Sequence, residues 1–180
     1  MSSRKRGPER PDLASARGEH PDAGAMRPFA RSLPMQLMRA REAVMQRFRP
    51  HLHAHGLTDQ QWRIIRVLVE VPALEILDLS ERCGIHPASL SRILPKLDAE
   101  GIVVRRPNPQ DQRRILVSLA PRGRGIFSEI APQSEAIYAE IARDIGPERL
   151  AELYRLVDEV VEALARPKAG NGRRAAKSDS

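Results

Sequence analysis

Between His86 and Ala120 the chain reads HPASLSRILPKLDAEGIVVRRPNPQDQRRILVSLA. The groups there that could do chemistry are hydroxyls and cations: Ser89, Ser91, Arg92 and Lys96, then Arg105, Arg106, Arg113 and Arg114. Ammonium and guanidinium groups pair with phosphate oxygens. An arginine fork also matches the edge of a guanine, and a serine hydroxyl can donate or accept. Over residues 86–125 eight Lys or Arg stand against three acids, an excess of +5. The whole chain carries +7, of which residues 1–30 and 166–180 together hold +6, so the remainder of 31–165 is −4. One basic stretch on an otherwise acidic body is the electrostatic footprint of a surface for a polyanion. The competing reading is a solvated charged face.

Other chemistries find less support. No nucleophile elbow, phosphate loop, zincin motif or dinucleotide glycine pattern occurs, so an enzyme is not expected. Ser89 and Ser91 lie near His86, but all three fall on the basic stretch. His51-x-His53-x-His55 would put His51 and His55 on one helix face. Zinc needs further ligands than these two, so no metal and no cofactor is expected. Cys83 is the single cysteine, which excludes an intrachain disulfide and leaves no partner to resolve a sulfenic acid. Metal sensing through the histidines and peroxide sensing through Cys83 stay as minor alternatives. With no long apolar run and no signal-peptide core, a cytoplasmic protein without membrane contact is expected.

The elements that must position these groups follow from periodicity. Residues 1–30 and 166–180 are polar, basic and without apolar period, and are expected to be disordered. Over 32–50 Leu33, Leu37, Ala40, Val44, Met45 and Phe48 recur at helical spacing, with Pro50 expected to end or bend the helix. Thr58-Asp59-Gln60-Gln61 has capping-box spacing before a helix that turns Trp62, Ile65, Leu68 and Val69 inward. Glu75–Cys83 is a short helix with Ile76, Leu77 and Leu79 as core candidates. After a turn at Gly84, Pro87 opens a second helix with Leu90, Ile93, Leu94 and Leu97 as its buried stripe. Two helices across a tight glycine turn form a helix-turn-helix. Gly101 ends the second one, and 102–106 and 114–119 read as strands joined by a long tip over 107–113. Helices over 122–145 and 148–164 close the chain, with a kink expected at Pro132. The expected fold is mainly α with a small β-wing: a winged helix-turn-helix spanning 31–165. Its DNA-binding lobe covers about 57–120. Its outer helices, about 32–50 and 122–165, form a homodimer interface, because a small winged lobe has no room for their apolar stripes.

These motifs together resemble the MarR family of transcription regulators. The resemblance rests on Gly56-Leu57-Thr58-x-x-Gln61-Trp62, on Gly101-Ile102-Val103, on Asp111-Gln112-Arg113-Arg114-x-x-x-x-Leu119, and on the following Leu119-x-Pro121-x-Gly123. Ser32-Leu33-Pro34, Arg39-Ala40-Arg41-Glu42-Ala43-Val44-Met45, Phe48-Arg49-Pro50 and Gln61-Trp62-Arg63 further resemble the subgroup that governs homoprotocatechuate breakdown. The resemblance covers about residues 31–165. It implies a homodimeric repressor that reads a pseudo-palindromic operator in double-stranded DNA and is released by a small aromatic carboxylate or phenolic effector. It also implies a wing ion pair between Asp111 and Arg113, leaving Arg114 for the minor groove. Two departures stand out: Pro95 lies inside the reading helix, and Ala120 stands where the family has Thr.

Ligand candidates are Arg39, Arg41, His51, Trp62 and Arg63. An indole can stack on an aromatic ring, and Arg or His can meet a carboxylate or phenolate. Taken singly, each is equally well explained as core or as solvated surface. A protein-interaction dimer that does not bind DNA is the remaining alternative.

Overall fold

The structure is a computed structural model and describes residues 26–165. The expected disordered tails, 166–180 and all but the last residues of 1–30, lie outside that range. The chain divides into two compact units, residues up to Glu42 and residues from Ala43 onward.

In the first unit a 3-10 turn, Phe29–Arg31, precedes helix α1, Leu33–Ala54, which runs on into the second unit. The Gln36 side-chain amide donates to the carbonyl of Ala30, tying the turn to the first helical turns. Pro50 neither ends nor interrupts α1, which continues one turn further to Ala54.

The second unit continues with α2 (Asp59–Glu70), β1 (Leu74–Glu75), α3 (Ile76–Cys83) and α4 (Pro87–Ala99). Then come β2 (Val103–Asn108), β3 (Asp111–Leu119), α5 (Pro121–Ile145) and α6 (Pro147–Ala165). The capping box at α2 is formed in both directions. Gln61 N–H donates to Thr58 Oγ1 at 3.3 Å, and Thr58 N–H donates to Gln61 Oε1 at 2.9 Å. Gly84 closes α3 in the left-handed region at φ 57°, where a side chain would be strained, and so sets the turn into α4. The core joins Leu52, Ile65, Leu68, Leu79, Leu90, Leu94 and Leu97 to Val103 and Val117 of the sheet and Ile130 of α5. Leu77 does not join it. It is 66% exposed, because α3 is amphipathic and turns Leu79, Ser80 and Cys83 inward instead.

The sheet is antiparallel in the order β1-β3-β2. Its wing tip differs from the long loop expected over 107–113. Only Pro109 and Gln110 link the strands, beyond a bulge at Pro107/Asn108. Asn108 and Asp111 make the short link possible with side-chain acceptors. Asn108 Oδ1 takes the N–H of Gln110 and Asp111 Oδ1 that of Arg113, each at 3.0 Å. Pro107 is tolerated because β2 is an edge strand. At the foot of the wing, a Cβ on Gly123 would lie 2.3 Å from the carbonyl oxygen of Ile102, so α5 can start this close to β2 only with glycine there. Ala120 caps α5 without a side-chain bond. Pro132 sits inside α5 with no break in the helix.

Candidate functional site

Two surfaces carry the residues singled out above. The first is α4 with the wing. Leu90, Leu94 and Leu97 fasten α4 to the core, and spacing of about 100° per residue sends Ser91, Arg92, Pro95 and Lys96 outward, all exposed. His86 begins the helix, its ring Nδ1 accepting the N–H of Ala88 at 3.3 Å, and Pro87 fills the first turn. Pro95 lacks the N–H that would reach Ser91, yet α4 runs unbroken to Ala99 with the ring on the outward face. Ser91 spends its hydroxyl proton on the carbonyl of Ala88, 2.8 Å away, and keeps its oxygen as an acceptor. Ser89 is half-buried at the edge of this face. Among the described residues Arg92, Lys96, Arg106 and Arg113 make no side-chain ion pair and point to solvent. Arg105 is half-buried on β2.

The wing ion pair is not the one expected. Asp111 gives Arg113 only a bond to the backbone N–H. Its other oxygen lies 3.3 Å from Nε of Arg114, whose Nη1 also donates to Glu75 Oε2 at 2.9 Å. The reason is register. Glu75 is paired with Leu116, and Arg114 lies two residues before Leu116, so it shares the Glu75 face of the sheet and reaches it diagonally; Arg113 falls on the opposite face. The hydrogen bond to Glu75, then the charges of Glu75 and Asp111, hold the Arg114 guanidinium above its ordinary pKa.

The second surface is a cavity of about 350 Å³ between α2, the C-terminal half of α1, α3 and α5. Trp62, Phe48, Met45 and Tyr138 line its apolar side, and Asp59, Arg63, Arg66 and Arg82 its polar side. Trp62 is buried and stacked on Phe127, with ring centroids 5.8 Å apart. Arg63 lies at the wall and also reaches the helix-turn-helix turn. Its Nη1 donates to the carbonyls of Cys83 at 2.6 Å and Gly84 at 3.2 Å. Of the five ligand candidates, Trp62 and Arg63 are brought together here. His51 is buried elsewhere, its Nε2 paired with the carbonyl of Ile130 at 3.1 Å. Arg39 and Arg41 belong to the first unit and are exposed there. Asp59, Arg66 and Tyr138 were not singled out from sequence. Asp59 read only as part of a cap, and Tyr138 only as one more apolar position of a long helix.

The minor alternatives fare differently. Burial pushes the Cys83 thiol up to about 11, against a smaller opposing pull from Arg63. A thiol held neutral is a poor nucleophile toward peroxide. Among the described residues no group of three or more His, Cys, Asp or Glu is placed to hold a metal. Of the histidine triplet, His55 turns one ring nitrogen to the carbonyl of His51 and the other toward Glu129, and His53 is exposed. No described helix is long and apolar enough to cross a membrane.

A helix-turn-helix packed beside a three-stranded sheet whose β2–β3 hairpin forms a wing defines a winged helix-turn-helix protein. The MarR family model matches residues 55–114. The homoprotocatechuate degradative operon repressor of Escherichia coli is 37% identical over 130 residues, which is 72% of this chain and 88% of that one. The crystal structure of transcriptional regulator PA4135 superposes with a TM-score of 0.72 at 39% identity, covering 76% of this chain and 98% of that one. NadR in complex with 4-hydroxyphenylacetate superposes at 0.66 with 37% identity, covering 76% and 96%. The chain belongs to the MarR family, whose members are DNA-binding transcription regulators rather than enzymes.

Proposed function

We propose that the protein is a cytoplasmic, homodimeric repressor of an operon for breaking down an aromatic compound, released from DNA by a small aromatic acid. The observation that carries this reading is the Arg63 guanidinium, which is shared between the cavity and the turn that launches α4. An anionic ligand in the cavity competes for that guanidinium with the carbonyls of Cys83 and Gly84. Whatever loosens the turn re-aims the reading helix, so occupancy and DNA affinity are coupled through one side chain. Trp62 offers an aromatic face, Arg63 and Arg66 offer charge, and Asp59 an acceptor for a phenolic hydroxyl. The bound 4-hydroxyphenylacetate of NadR and the operon named for the Escherichia coli relative support this ligand class.

On the DNA side, α4 enters the major groove with Arg92, Lys96 and Ser91, with Ser89 at the edge. The wing follows the minor groove with Arg113, while Arg105 and Arg106 meet phosphates and Arg114 holds the wing in shape. A second copy covers α6, which buries none of its own side chains and leaves Leu153, Tyr154, Val157, Val161 and Leu164 exposed. Half-sites about 10 bp apart then match the two lobes.

The test is selection of bound fragments from the host genome, repeated with homoprotocatechuate, 4-hydroxyphenylacetate and salicylate. A discrete pseudo-palindrome that is retained without acid and released by one of them is expected. Binding that is indifferent to sequence and shallow in salt would sink the reading.

A further inference from the structure

We propose that Glu75 is a positioning residue for DNA recognition, a carboxylate outside the hairpin that clamps both strands of the wing. The inference rests on the reading of α4 and the wing as the DNA-binding face.

Glu75 occupies the N-cap position of α3, where a short polar side chain ordinarily accepts a helix N–H. It makes no such bond. Its carboxylate turns to the wing instead. Oε1 accepts from Nδ2 of Asn108 on β2 at 3.0 Å, and Oε2 accepts from Nη1 of Arg114 on β3 at 2.9 Å. Arg114 in turn holds Asp111, and Asp111 holds the backbone of Arg113. Asn108 closes the tip through Gln110. Every side-chain bond that shapes the tip therefore leads back to one carboxylate at the root of α3.

The consequence is geometric. The wing's own ladder joins only β2 to β3, and β1 adds just two residue pairs at the base. Beyond that base, the orientation of the tip relative to α3, and so to α4 packed on α3, depends on the Glu75 clamp. Reading two grooves at once needs the tip and the helix at a set separation.

The sign of the effect separates this role from a bystander charge. Glu75 is negative and lies beside cations that would face a polyanion. Electrostatics alone says that neutralising it tightens all DNA binding. A positioning role says that binding to the proper site weakens, while binding to arbitrary DNA does not.

The experiment uses full-length Glu75→Ala and Glu75→Gln. Anisotropy titrations compare the duplex selected from the host genome with a scrambled duplex of the same length. Glu75→Ala is expected to lower the ratio of specific to non-specific affinity about ten-fold, the scale of losing hydrogen bonds to a charged group. Glu75→Gln removes the same charge but keeps an acceptor, and is expected to fall between Glu75→Ala and the wild type. Amide exchange is expected to speed up in the wing tip of Glu75→Ala and to stay unchanged in α5. An unchanged ratio in both variants, whichever way absolute affinity moves, would overturn the proposal. A wild-type ratio near one would instead overturn the DNA-binding reading, and this inference with it.

Discussion

The proposed DNA-reading face and the proposed ligand cavity hold their charges in opposite ways. On the face, Arg92, Lys96, Arg106 and Arg113 are exposed and make no ion pair among the described residues, which suits them to a polyanion. Arg114, by contrast, is committed to Glu75 and Asp111. In the cavity wall three of the charged groups are already engaged: Arg63 with the carbonyls of Cys83 and Gly84, Asp59 with Arg49, Arg66 with Glu135. A surface that must bind tightly keeps its cations uncommitted. A surface that must switch keeps them in bonds that a ligand can exchange, because occupancy changes an equilibrium only through a difference in interaction between two states.

The largest break in this contrast comes from beneath the reading face. Leu94 is 1% exposed, so Leu94→Ala is expected to cost about 2–5 kcal/mol of stability in urea unfolding and to disable both surfaces together. Next, Arg92→Ala is expected to weaken operator binding by about 1–3 kcal/mol in anisotropy titrations. Its unfolding midpoint stays put, since no described residue bonds to that side chain; a matching loss of stability would contradict its assignment to the face. Arg63→Gln tests the exchangeable side. It should leave a folded protein whose release needs about five-fold more aromatic acid, the lower end of allosteric coupling, and an unaltered release curve would remove Arg63 from the switch.

The smallest effect belongs to Cys83. Its thiol ionises near the ordinary value of 9.0 when unfolded and at about 11 when folded. The folded state thus holds its proton longer. Below pH 9 that contribution to stability is constant, and it is lost as pH rises from about 9 to about 11. A stability–pH profile should show this loss in the wild type and not in Cys83→Ala. Native Cys83 should also react slowly with a thiol reagent at pH 8, and fast labelling would reopen redox sensing.

What is legible in the sequence follows this same division. Local rules write themselves into sequence: the Thr58–Gln61 box, Pro87 opening α4, the Leu90–Leu94–Leu97 stripe and the cations of the face all depend on neighbours within one turn or one strand. Expectation and structure part where a contact crosses the chain. The resemblance implies an Asp111–Arg113 pair, but pleat and register carry Arg114 to Glu75, thirty-nine residues away. The wing tip is shorter than 107–113 suggests, because Asn108 and Asp111 supply their own turn bonds. Leu77 reads as core because nothing in an eight-residue helix says which apolar position faces outward.

By itself, the sequence determined the class of fold, the basic reading helix and wing, and the membership that the motifs of 56–62 and 111–123 announce, since each rests on short-range spacing. Only the tertiary structure decided which arginine is spent on the wing, that Trp62 and Arg63 share a cavity while His51 does not, and that Glu75 bonds to both strands of the wing. Those outcomes are set by where strands register and helices cross, and packing against distant segments selects among alternatives that are locally equivalent.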